Sequence, residues 1–84
     1  MATDISVQTF FLTITGGTFT LPEGFTSAVV TNDGAVDATF TNTLGQTYAL
    51  KEKEVFEWKN YGNYYAPIEI SAAGTIVRIA YTTK

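Results

Sequence analysis

The chain has 84 residues, with five Lys and Arg against eight Asp and Glu, and carries a net charge of −3 at pH 7 without a single histidine or cysteine. Imidazole and thiolate chemistry, disulfides and soft metal ligands are thereby removed, and an acidic chain with no basic run is a poor match for a phosphate backbone, so neither nucleic acid nor a cofactor is expected. The 45% hydrophobic and 14% aromatic content is globular, and 84 residues make one domain over residues 1–84, too small for a second core.

In chain order, residues 5–14 are rich in Val, Thr, Phe and Ile and end at Gly16 and Gly17, the signature of a first strand. Phe10, Phe11 and Leu12 are consecutive, so a period-two strand shows an apolar group on both faces there, and one face is expected to meet a second surface. Residues 18–21 form a short second strand stopped by Pro22, Glu23 and Gly24. Residues 25–31 alternate Phe25, Ser27, Val29 and Thr31 against Thr26, Ala28 and Val30, after which Asn32, Asp33 and Gly34 supply hairpin-type punctuation.

Residues 38–43 continue as a strand and Leu44, Gly45 and Gln46 turn it. Residues 47–50 and 55–58 flank Lys51, Glu52, Lys53 and Glu54, four charges that fit a solvated turn between two strands or the exposed middle of one long strand, the turn being favoured. Residues 60–63 read as a polar loop, 66–71 as a strand, Ala73 and Gly74 as a turn, and 75–82 as the last strand, with Thr75, Val77, Ile79 and Tyr81 opposed to Ile76, Arg78, Ala80 and Thr82. Phe40, Phe56, Val77 and Ile79 are the expected core. Seven or eight short strands with short connections, and no helical periodicity, predict an all-β antiparallel β-sandwich, jelly-roll-like or Ig-like.

No stretch approaches the ~20 apolar residues of a membrane-spanning helix, and the first residues show neither the charged nor the apolar region of a signal peptide, so synthesis in the cytoplasm and no membrane partner are expected. With no disulfide or metal staple, part of the stability is expected from partner subunits.

The chemical candidates are few. The run from Asn32 to Asp37 superficially resembles a calcium loop, but its oxygen ligands do not alternate and no Glu closes it, so turn chemistry and no metal are expected. Glu52, Glu54 and Glu57 could supply a carboxylate pair for glycoside hydrolysis, yet two of them alternate with Lys51 and Lys53 in a solvated run. The hydroxyls have no His to activate them, so the chain reads as no enzyme. Trp58, Tyr61, Tyr64 and Tyr65, interleaved with Asn60 and Asn63, combine flat aromatic faces with amides and could serve core packing, a protein contact or a glycan.

Residues 27–34, Asp37 to Phe40, Leu50 with its charged turn, Val55 to Trp58, and residues 68–79 together resemble small β-sandwich modules of tailed-phage virion proteins, which recur as capsid-decorating and fibre-type components. The likeness covers residues 25–82 and rests on β patterning and turns; a repetitive fibre shaft is not part of it. It implies a non-enzymatic virion protein that assembles on a capsid or tail as a symmetric oligomer, three copies by the fibre-type likeness, with Phe10, Phe11, Leu12 and the Trp58 segment as candidate interfaces. The alternative is a carbohydrate- or peptide-binding module in which Trp58, Tyr61, Tyr64 and Tyr65 hold the ligand. A third reading is a small inhibitor presenting Pro22 to Gly24, or residues 60–63, to an enzyme.

Overall fold

The computed structural model describes residues 8–59 and 64–83. Eight strands follow one another: β1 (Gln8–Thr15), β2 (Thr18–Leu21), β3 (Phe25–Asn32), β4 (Ala38–Thr41), β5 (Thr47–Leu50), β6 (Val55–Trp58), β7 (Ile68–Ser71) and β8 (Ile76–Thr83). Their pairing is nested: β1 lies antiparallel to β8, β2 to β7, β3 to β6 and β4 to β5. The chain is therefore one long antiparallel ribbon folded at the β4–β5 hairpin and rolled up. Contacts of β3 with β8 and of β4 with β7 join the ribbon into two four-stranded sheets, β1-β8-β3-β6 and β2-β7-β4-β5. Of the two sandwich types expected, this order is the jelly roll.

One expectation is corrected by this winding. Asn32, Asp33 and Gly34 do not close a hairpin, because β8 and β6 occupy both edges of β3 and the chain has to cross to the other sheet to start β4. Strand ends also move for local reasons. β4 stops at Thr41, where the Asn42 side chain begins a turn, and β7 starts only after Pro67, which has no N–H for a ladder. The N-terminal part of the first expected strand and the loop at 60–63 lie outside the described residues.

Alternation along the strands builds the core. Leu21, Phe25, Val30, Leu50, Ile70 and Val77 are fully enclosed, with Phe40 and Ile79 nearly so. Each such side chain contributes about 1.5–3 kcal/mol relative to exposure. Phe56, expected in the core, is half-buried and packs on its margin. β6 is a sheet edge, so its inward side chains are covered from one side only.

Phe25 departs from the expected alternation, which placed it with Ser27, Val29 and Thr31. The register of β3 against β8 shifts between Phe25 and Ser27, so two steps on β3 match one on β8. This bulge turns Phe25 onto the same inner face as Ala28, Val30 and Asn32. Hydroxyls hold it: Thr26 Oγ1 and Ser27 Oγ lie 2.6 and 2.7 Å from Thr82 Oγ1.

Asn32, the last residue of β3, is buried and uses every polar atom it has. Its Nδ2 donates to the carbonyls of Val36 (2.8 Å) and Leu50 (2.9 Å), while its Oδ1 accepts from Gly34 N–H (3.0 Å) and Thr75 Oγ1–H (2.7 Å). Its backbone N–H donates to Glu54 and its carbonyl accepts from Lys53. One side chain thus ties the β3–β4 crossing, the end of β5 and the β7–β8 turn together at one end of the sandwich. Gly34 is required beside it, since a Cβ there would overlap Thr75 Oγ1 and lie 2.7 Å from Ile76 N. The charged run 51–54 is the expected turn, capped by Glu54 Oε1 accepting from Lys51 N–H at 2.8 Å. Lys53 adopts φ 64° in it, a left-handed conformation that favours glycine.

Candidate functional site: an apolar sheet face and an aromatic groove

The two outward sheet faces differ in how much apolar surface they carry. On the β2-β7-β4-β5 sheet, Thr18, Ser71 and Thr39 form one cross-strand row and Thr20, Glu69, Thr41 and Thr47 the next. Hydroxyls there meet water, as on the solvated side of an antiparallel sheet. On the β1-β8-β3-β6 sheet the corresponding rows are Phe11, Ala80, Val29 and Glu57, then Thr13, Arg78, Thr31 and Val55. Phe11 is 79% exposed, Val55 58% and Ile76 41%. Phe11, Thr13, Val29, Thr31, Arg78 and Ala80 line a shallow depression of about 560 Å³ on this face.

β1 adds a second property. It is an eight-residue edge strand, Gln-Thr-Phe-Phe-Leu-Thr-Ile-Thr, with no charge and no proline to block pairing. The other edges are shorter, and β6 carries Glu57 outward with Lys59 3.8 Å away. The three consecutive apolar residues divide as alternation demands. Phe10 and Leu12 turn inward, Phe10 stacking on Tyr81 with ring centroids 5.0 Å apart, and Phe11 turns outward.

Trp58 sits at the opposite edge of the same sheet, so the two groups of candidate residues are not brought together. Nor do the expected partners of Trp58 form one platform with it. Tyr65 stacks on Phe25 at 5.0 Å, pairs with it through the backbone and donates its hydroxyl proton to the Lys59 carbonyl. Tyr64 is exposed, and Tyr61 lies outside the described residues. Trp58 instead joins Phe56 (4.4 Å between centroids) and Phe40 (5.3 Å), and Tyr48 completes the cluster against Phe56 (5.2 Å) and Phe40 (6.0 Å).

This cluster borders an open groove of about 270 Å³ between β5 and β6, the free edges of the two sheets, with Asn42, Gln46 and Thr47 on its polar side. Sequence reasoning missed Tyr48, Asn42 and Gln46. The available signal was that Tyr48 shares the parity of Leu50, two residues from a turn rich in amides.

The carboxylates considered for hydrolysis are not brought together as a pair: Glu54 caps its turn, Glu52 is exposed in the same turn, and Glu57 points outward from β6 beside Val29. In the run once compared with a calcium loop, Asp33 pairs with Arg78 and Asp37 with Lys51 at 3.2 Å, while the Asn32 oxygen is committed to Gly34 and Thr75. No protein-family model, curated protein or solved structure matches this chain.

Proposed function

We propose that this chain is a non-enzymatic structural protein that assembles with copies of itself through the outward face of the β1-β8-β3-β6 sheet. On the strength of the sequence resemblance, it serves as a capsid-decorating or fibre- or tail-associated component of a phage virion. Jelly rolls occur in capsid proteins and in sugar-binding proteins alike, so the fold alone does not choose a function. The observation that carries the reading is the contrast between the hydroxyl-covered face of one sheet and the face of the other, where Phe11, Val29, Ala80, Val55 and Ile76 are turned to solvent.

A second copy is the occupant best supported, because the Phe11, Ala80 and Val29 patch of this face reaches the uncharged β1 edge. A neighbouring copy covers both at once, whereas a free monomer would expose them as an aggregation hazard. Closed cyclic symmetry satisfies every copy equally, and the fibre-type likeness favours three. Light scattering after size exclusion, from micromolar to millimolar concentration, is the test. The expected result is a discrete multiple of the 9.1 kDa chain that dissociates on Phe11→Ser with unchanged secondary structure. A soluble wild-type monomer across that range overturns the assembly reading.

A further inference from the structure

We propose that the groove between β5 and β6 is a binding site for a neutral saccharide, lined by Phe56 and Trp58 of β6 and separate from the outward assembly face on which Phe11 lies. Three features of the groove point to this chemistry. The first is Tyr48, which has inward parity yet is 48% exposed, because β5 and β6 are edges and the sheets open between them. Its ring is held by near-parallel stacking on Phe40 (20° between planes) and by the Phe56 edge. A rigid half-exposed aromatic face is what the C–H side of a sugar ring packs against.

The second is an amide set in place beforehand. Asn42 Oδ1 accepts from the backbone N–H groups of Leu44 (3.0 Å) and Gln46 (2.9 Å), and Asn42 Nδ2 donates to Gln46 Oε1 at 2.9 Å. This leaves Gln46 Nε2, with two protons, as a donor oriented by the turn and without a partner among the described residues. Donors fixed in advance cost less ordering on binding, and sugar hydroxyls are their natural acceptors.

The third is charge. Asn42, Gln46, Thr47, Tyr48, Phe56 and Trp58 on the groove wall are all uncharged, so a phosphate or carboxylate would lose its hydration without gaining a counterion. The volume, just under the ~300–1,000 Å³ of typical small-molecule sites, suits one or two sugar rings. Several copies in an assembly would multiply a weak single-site affinity, but the site itself does not depend on assembly.

Trp58 is the only tryptophan and lies in the groove wall, so its fluorescence reports occupancy directly. Lactose, maltose, cellobiose, mannobiose and diacetylchitobiose are titrated to about 10 mM, with sialyllactose as an acidic control, and calorimetry checks any response. At least one neutral disaccharide is expected to give a saturable change. Tyr48→Ala is expected to weaken it about tenfold or more, and Gln46→Ala, at an exposed turn position that leaves the fold intact, by a similar factor. Phe11→Ser leaves it unchanged. Silence of all five neutral sugars, binding of the acidic control alone, or binding that survives Gln46→Ala at full strength overturns the proposal.

Discussion

Asn32→Ala is the most informative single perturbation of this fold, because it removes four hydrogen bonds and leaves each partner where it was. Thr75 Oγ1 and the Leu50 carbonyl are buried, and each loses its partner away from the surface, at about 1–3 kcal/mol apiece. Gly34 N–H and the Val36 carbonyl are only partly buried and regain water, adding about 1 kcal/mol together. The sum is about 3–7 kcal/mol, against a total stability of about 4–13 kcal/mol for a domain this size.

Urea unfolding followed by circular dichroism is expected to show that loss, and thermal unfolding a midpoint lower by about 4–8 °C for each kcal/mol lost. Asn32→Asp adds a sign test. The carboxylate keeps both acceptor bonds but turns a buried negative oxygen toward the carbonyls of Val36 and Leu50, which raises its folded pKa above the ordinary value of about 3.9. The stability of this variant therefore falls as pH rises through that raised value and is recovered below the unfolded one. An Asn32→Ala midpoint within about 1 kcal/mol of wild type would refute the view that this side chain ties three segments together.

Val77→Ala and Ile79→Ala are expected to cost about 1–4 kcal/mol each in denaturant unfolding, and Phe56→Ala less than Phe40→Ala because Phe56 is covered on one side only. Lys53→Gly is expected to raise stability by about 0.5–1 kcal/mol, since it relieves a left-handed backbone at an exposed turn at the expense of a more flexible unfolded chain; a loss on thermal unfolding would contradict this. Gly34→Ala should unfold well below wild type, because its Cβ has to displace Thr75 and the Ile76 backbone, and Thr75→Ser should not rescue it. Arg78→Ala, breaking an exposed pair with Asp33, should cost less than about 1 kcal/mol and less still in high salt.

The strands and their sequence along the chain were legible, to within two residues at most of the described ends, because each is set locally. Gly16 and Gly17, Pro22 and Gly24, the four charges at 51–54 and Gly74 mark where β1, β2, β5 and β7 give way to turns, and the alternation of Val77, Ile79 and Tyr81 with Arg78 and Ala80 sets which side of β8 is buried. That both faces of β1 carry apolar side chains was legible from Phe10, Phe11 and Leu12 in succession, while which of them is outward was decided by the sheet. Partners were not legible, since an antiparallel ladder is made between segments up to 75 residues apart, such as Gln8 and Thr83, and no local pattern records its mate. For the same reason Asn32 read as a turn residue, although its side chain is fixed by Leu50 and Thr75, which only folding brings to it. The bulge that turns Phe25 inward arises in the pairing of β3 with β8, and the groove that sets Trp58 beside Tyr48 and Gln46 arises where the two sheets meet at their edges. Local sterics and turn chemistry chose the strands, and the burial of both sheets against one another decided which side chains share a surface.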